Sequence, residues 1–383
     1  MKPVRPLVSL ARVAVLLGAA ALAGGPALLG CTPVAGPTGP AALHYLGQRR
    51  VWPGATVAGT VVGGLSAISY DADRDRFYVL SDDRSQHDPA RFYTVRLGLS
   101  GAGIDAVEFT GVQALRDEDG RPFPAPALDA DPPVVPPDPE GLAFDPRRRQ
   151  LYWSSEGERR PPVLADPWVR VAGLDGAYRG AFELPPMLAM SSKQRGPRRN
   201  AALEGLTLSP DGRWLYAAME RPGYDDGDPP DRHHGALTRI TRLAVDSGRP
   251  VAQFAYPLEP ATAPANSNGL TNLVALSDES FLVLERAGSR RPVVRIFYAE
   301  IADATDTLAA PSLSDPAVVP MRKTLALDLT AVPGLSPLDN VEGITVGPPL
   351  PDGRRSVVLV SDDNFSPLQI TQFLLLALDP PDR

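Results

Sequence analysis

Glu140-Gly-Leu-Ala-Phe-Asp-Pro-Arg-Arg-Arg-Gln-Leu-Tyr-Trp-Ser-Ser-Glu156 aligns without a gap on Glu204-Gly-Leu-Thr-Leu-Ser-Pro-Asp-Gly-Arg-Trp-Leu-Tyr-Ala-Ala-Met-Glu220. Eight of the 17 positions are identical, both terminal glutamates included. Repetition of this kind decides architecture before any local reading does. Looser copies occupy residues 63–83 (GGLSAISYDADRDRFYVLSDD), 268–285 (NGLTNLVALSDESFLVLE) and 342–363 (EGITVGPPLPDGRRSVVLVSDD). The glycines at 64, 141, 205, 269 and 343 stand 77, 64, 64 and 74 residues apart. Five copies at near-even spacing mark a repeat protein.

Each copy reads as a hairpin. A short apolar strand follows Gly-Leu or Gly-Ile, a turn of Asp/Pro/Gly type comes next, and a second strand rich in Tyr, Val and Leu returns. Two further strand candidates follow each hairpin: 91–97 and 106–115, 168–173 and 180–184, 237–245 and 251–256, 293–301 and 323–329. The fifth unit has only 369–376 before the chain ends. Its missing fourth strand is available at the other end, in residues 43–52. The expected fold is therefore all-β: a single β-propeller of four-stranded antiparallel blades closed by an N-terminal strand. Five units are visible, and the long insert 98–139 has room for a degenerate sixth. No stretch carries a helical period over three turns. The proline-rich 129–139 segment is expected as an extended surface connection, and no second domain is expected within 43–383.

Composition narrows the function classes. The 383 residues carry a formal net charge of −7, a normal 43% hydrophobic content, four His and one Cys. A single Cys excludes a disulfide framework and the Cys-rich zinc arrangements. The acidic balance excludes a nucleic-acid binder, which presents a basic face. There is no Gly-x-Ser-x-Gly elbow, Walker loop or dinucleotide fingerprint. Ser66 reads as a strand residue, and His233-His234 as an exposed loop pair.

Residues 1–30 read as an export signal. Lys2, Arg5 and Arg12 make a positive start, an Ala/Leu-rich stretch follows, and no acid occurs before Asp71. The stretch ends Leu28-Leu29-Gly30-Cys31, which resembles the lipobox of bacterial lipoproteins, where the Cys thiol is acylated. Residues 31–42 are then a flexible tether. Cys31 as the lipidation site, a membrane partner reached through that lipid, and an outer-membrane location facing the periplasm are the expectations. Nothing in the sequence calls for an oligomer, and a monomer is expected.

The repeat also places the chemistry. In a hairpin, the start of the first strand and the end of the second lie at one sheet edge. In an inner hairpin, that edge faces one mouth of the central channel. Before Gly-Leu/Ile stand Gly63, Glu140, Glu204, Asn268 and Glu342; at the ends of the second strands stand Asp82-Asp83, Glu156, Glu220, Glu285 and Asp362-Asp363. Crowded carboxylates raise one another's pKa unless cations neutralise them. Arg84, Arg221 and Arg286 follow the acids in the same motif and are candidates for binding a substrate anion. Glu140, Glu204, Glu342, Asp82, Asp362 and Asn268, with Asn340 and Asn364 nearby, offer hard oxygen donors suited to Ca²⁺, or alternatively Mg²⁺. The same acids also suit a purely structural role, bonded to backbone N–H groups or to a neighbouring blade's Arg.

Gly63-Gly-Leu-Ser-Ala-Ile, Asn200-Ala-Ala-Leu-Glu-Gly-Leu-Thr-Leu-Ser-Pro-Asp-Gly, and Asn340-Val-Glu-Gly-Ile with Val360-Ser-Asp-Asp-Asn together resemble the bacterial "esterase-like activity of phytase" (phytase-like) family. The resemblance runs over roughly residues 43–378. It implies an often exported β-propeller and hydrolysis of phosphoric or carboxylic esters. By analogy with propeller phytases, it implies Ca²⁺ ions at a carboxylate-lined mouth that bind substrate phosphate and activate water. The first expectation is an exported, lipid-anchored hydrolase of a small anionic ester, using a divalent cation at an acidic channel mouth. A non-catalytic envelope-binding propeller and a metal-dependent lactonase are the alternatives.

Overall fold

The computed structural model describes residues 42–288 and 292–379. The export signal, Cys31 and nearly all of the expected tether lie outside them. Five four-stranded antiparallel sheets form the ring, and two small two-stranded ones, Thr56–Val57 with Thr60–Val61 and Glu158–Arg160 with Val163–Ala165, accompany them. Blade I holds Leu65–Asp71, Arg76–Ser81, Arg91–Ser100 and Gly103–Ala114; blade II holds Pro139–Asp145, Gln150–Ser155, Trp168–Gly173 and Tyr178–Ala181. Blade III holds Leu203–Leu208, Trp214–Met219, Ala236–Ala244 and Arg249–Leu258. Blade IV holds Gly269–Ala275, Ser280–Ala287, Val293–Glu300 and Arg322–Asp328. Blade V takes Asn340–Pro349, Arg355–Asp362 and Gln372–Leu378 from the C-terminal end and Leu43–Arg50 from the other. The protein is a five-bladed β-propeller, and the ring closes as the sequence predicts.

The insert does not hold a sixth blade. Residues up to Ala114 lengthen the outer two strands of blade I, and Gly103–Ala114 is the longest strand of the ring. Beyond it, the chain forms a loop with two isolated bridges, Arg116 with Pro122 and Ala127 with Val134.

The core is divided among the gaps between blades. One apolar cluster fills each gap, for example Tyr78, Leu80, Phe144 and Trp153 between blades I and II, and Leu284, Ile296, Leu359 and Leu374 between blades IV and V. Edge-to-face rings such as Tyr216 on Phe281, 4.8 Å apart, join facing sheets. Each inner strand touches the inner strands of both neighbouring blades, all the way around.

That close approach explains the repeated Glu-Gly. A Cβ on Gly205 would lie 2.6 Å from Leu273 Cδ2 and 3.1 Å from Asn272 Cα of the next blade. A Cβ on Gly343 would lie 3.2 Å from Ala67 Cα across the next gap. The ring position is thus shared by Ala67, Gly141, Gly205, Asn272 and Gly343, which corrects the sequence register in two units. In blades III and V the inner strand bulges at Glu204 and Glu342, whereas in blades I and IV it bulges at Ser66 and Thr271. Gly64 and Gly269 therefore do not occupy the ring position, which falls three residues after each of them.

Candidate functional site

With the register set by pairing, two rings of side chains lie at one mouth. The bulge ring is Ser66, Glu140, Glu204, Thr271 and Glu342. Directly after or at the ends of the second strands come Asp82, Glu156, Glu220, Arg286 and Asp362. Blade IV breaks the acidic pattern at both positions, with a threonine and an arginine. The mouth opens into a cavity of about 670 Å³. Of the residues singled out in the sequence, Asp82, Glu140, Glu342, Asp362, Asn268, Arg84, Arg221 and Arg286 all line it. Glu204 is buried and does not line the cavity.

Carboxylate oxygens converge in two groups. Asp82, Glu342 and Asp362 have ligand atoms within 4.8 Å of one another, and so do Asp138, Glu140 and Glu156. Burial first, then the charges of Asp362, Glu342 and Asp138, push the Asp82 carboxyl well above the usual carboxylate range. Glu140 rises through burial and then Glu204 and Asp138; Glu204 rises through burial and then Glu156 and Glu220. Burial likewise raises Glu156 and Asp362, with Asp138 and Glu342 as their strongest neighbours. Burial lifts Asp138 to about 6 even with Arg84 opposing it. Glu342 is raised too, by burial, with Arg286 opposing.

The three arginines are engaged within the ring. Arg84 Nε donates to Asp138 Oδ1 at 2.7 Å, with a second contact to the same carboxylate, and Nη2 donates to Asn200 Oδ1 at 3.1 Å. Arg221 donates twice to Glu220 Oε2, at 2.9 and 2.7 Å. Arg286 Nη2 donates to Glu342 Oε1 at 3.0 Å. These pairs leave Asp82, Glu140 and Glu204 without an arginine partner among the described residues. Asn340 donates from Nδ2 to Glu342 Oε1 and Asp362 Oδ2, at 2.9 and 3.1 Å. Its buried Oδ1 has no hydrogen-bond partner among the described residues.

Several acids of the sequence reading prove to be scaffold. Asp83 accepts the N–H groups of Gln86, His87 and Asp88 at 2.7, 3.1 and 2.8 Å, and Arg91 Nη1 at 2.8 Å. Although burial works against its charge, these bonds hold its pKa below the usual value. The loop wound on it presents Arg84, Gln86 and His87 to the cavity. Glu285 accepts from Tyr256, Glu259 N and Asn268, and also holds Lys323. Asn268 thus spends its amide N–H₂ on Glu285 and on Glu259 O, at 2.6 and 3.0 Å. Asp363 accepts from Gly64 N, Phe365 N and Thr371.

Sequence reasoning missed Asp138, His87 and Phe365. Asp138 precedes the inner strand on a proline-rich loop, and Asp138-Pro-Glu140 was its one signal. Phe365 has φ of +49°, uncommon for a bulky residue, and stacks on His87 with centroids 4.3 Å apart. Its ring also lies where a Cβ on Gly63 or Gly64 would sit, at 2.9 and 2.6 Å. Asp82 Oδ1 and a φ of +63° constrain Gly64 as well, and Asp363 Oδ1, 2.9 Å from such a Cβ, constrains Gly63. Asn200, Ser85 and Asn364, near or on the same rim, also hold positive φ. Such strained backbone clusters at functional sites. Ser66 is buried in its strand and donates to Pro139 O, and His233 and His234 stay exposed around Asp231.

Five blades around a carboxylate-lined mouth define the class as an acidic-mouth β-propeller. The chain belongs to the phytase-like family, described as "esterase-like activity of phytase", whose model matches residues 60–365. No curated protein matches. Among solved structures, the periplasmic gluconolactonase PpgL of Pseudomonas aeruginosa is 12% identical; the match covers 89% of this chain and 96% of that one, with a TM-score of 0.34. A putative oxidoreductase (glucose dehydrogenase) of Thermus thermophilus is 11% identical, over 86% and 99% of the two chains, at 0.38. An exo-β-1,3-galactanase of Phanerochaete chrysosporium is 13% identical at 0.44; the match covers 87% of this chain and 65% of that one, so this chain spans less than two thirds of the galactanase. These are distant neighbours, and the blade count rests on this chain's own strand pairing.

Proposed function

We propose that this protein is an exported, lipid-anchored hydrolase of small phosphate or related esters, working with a divalent cation at the acidic mouth. One observation carries the reading: two groups of three converging carboxylates sit at one mouth, five of the six line its cavity, and the arginines there do not neutralise them all. The donor set fits a hard cation. Asp82, Glu342 and Asp362 would hold one ion, with the unpartnered Asn340 Oδ1 beside them, and Asp138, Glu140 and Glu156 offer a second place. A bound divalent cation supplies Lewis acidity toward a phosphoryl or carbonyl oxygen and lowers the pKa of water.

The chain's own residues set the frame for that chemistry. Arg221 and Arg84 keep donors free beyond their bonds to Glu220 and Asp138, and so bind and orient an anionic substrate oxygen. Asn340 fixes Glu342 and Asp362 in one orientation. Anchoring through Cys31, the periplasmic outer-membrane location, Ca²⁺ rather than Mg²⁺, and a monomeric state belong to the same proposal. The pairing of all three arginines favours the rival reading, an envelope propeller that binds a ligand without turning it over.

Calorimetry of the purified full chain with Ca²⁺ separates them, run beside phosphomonoester, phosphodiester and lactone hydrolysis with and without EDTA. Cation binding with EDTA-sensitive turnover is expected, and the responding ester names the reaction. Binding without turnover of any ester supports the rival, and no cation binding overturns the metal site.

A further inference from the structure

The acidic mouth does not end at its carboxylates. A second cavity of about 280 Å³ opens beside it and shares Arg84, Gln86 and Asp138 with the main one. Its far wall is different in kind. Val135 and Pro136 of the proline-rich 129–139 segment, expected from the sequence as an extended surface connection, and Pro126 and Leu128 just before it supply an apolar surface. The segment is not loose there: Ala127 and Val134 bridge each other in both directions, at 3.0 and 2.9 Å, and Pro136 is buried. Prolines fix φ and reduce the freedom of the unfolded loop, so the wall is largely set before anything binds.

We infer that this compartment takes the apolar, ring-bearing alcohol portion of an anionic ester whose charged head sits at the acidic mouth. The inference rests on reading the mouth as an anion-ester site and specifies the substrate class. Two features point to this occupant. The shared residues set the two cavities side by side, with the Arg84–Asp138 pair bordering both. Size also fits, because an apolar cavity of about 150 Å³ already holds one benzene ring. A purely polar alcohol would leave the Leu128 and Val135 face with nothing to cover it, and burying a ring there gains the usual apolar transfer energy.

The test compares two phosphonates by calorimetry on the full chain with Ca²⁺ present. Methylphosphonate carries the charged head alone, and 1-naphthylmethylphosphonate adds a fused ring through a C–P bond that ester hydrolysis does not cut. The naphthyl compound is expected to bind roughly tenfold tighter or more. In Leu128→Asp the ratio should fall to about one, and in Val135→Asp it should fall likewise, which guards against a local effect of either change. Equal affinities in the unchanged protein, or a ratio that survives both substitutions, would overturn the side compartment while leaving the anion site standing. If neither phosphonate binds, the anion-ester reading fails and the compartment's role goes with it.

Discussion

Arg286 donates to Glu342 across the gap between blades IV and V, at 3.0 Å, from the ring position where every other blade places an acid. Both side chains are largely buried. Removing one partner of such a pair costs about 3–5 kcal/mol. Arg286→Ala is therefore expected to lower the melting temperature in EDTA. With one positive charge fewer at the mouth, it should bind Ca²⁺ more tightly than the unchanged protein. Weaker Ca²⁺ binding in a variant that still folds would show that Arg286 positions the ligands rather than competing with the ion.

The acids of the mouth also set how stability follows pH. Asp82, Glu140, Glu156, Glu204 and Asp362 are raised far above their usual range, and Asp138 to about 6. In the unfolded chain they lose their protons near pH ~4, while the folded ring still holds them. The folded state then binds more protons, so stability falls as pH rises from ~4 through the folded values. In EDTA the melting temperature should drop between about pH 5 and pH 8. Saturating Ca²⁺ should remove that slope, because the ion takes the place of the protons. A melting temperature that is flat or rises over this range in EDTA contradicts the crowded-acid ring.

Deleting residues 43–50 removes the outer strand of blade V, whose ladder runs from Leu43 opposite Leu378 to Arg50 opposite Gln372. The chain is expected to lose its cooperative thermal transition. If the shortened protein melts like the intact one, this strand is dispensable to the ring.

Cys31→Ser tests the anchor. The variant should leave the membrane fraction and appear as soluble exported protein, without incorporating labelled fatty acid. Unchanged fractionation would show that something other than a lipid on Cys31 holds the protein.

The fold was legible because a propeller repeats its innermost hairpin under the same constraint each time. Backbones meet at Gly141, Gly205 and Gly343, so the Glu-Gly pair recurs with little room for drift. The register failed in blades I and IV because other glycines there answer to other demands: Gly64 to its positive φ, the Asp82 carboxylate and the Phe365 ring, and Gly269 to Glu220, whose Oε1 would lie 2.6 Å from a Cβ. Those local demands imitate the motif a few residues early. For the same reason Asn268 was matched to the glutamates, although Thr271 occupies their place and Asn268 holds Glu285. The insert 98–139 left a sixth blade open because long outer strands and a proline-rich loop leave the same length in a sequence. Asp138 was hidden because its role depends on which loop folds back to the mouth, and no repeat position announces it.

His44 and Asp379 are hydrogen-bonded at 2.8 Å although they are 335 residues apart in the chain. The fifth blade is shared between Leu43–Arg50 and Gln372–Leu378, so no piece shorter than residues 43–378 contains a finished ring. Leu43–Arg50 therefore has no partner until Gln372–Leu378 is in place. A chain cut short anywhere before residue 372 leaves Leu43–Arg50 with no edge to join, exposing the apolar gap of the final blade to proteases.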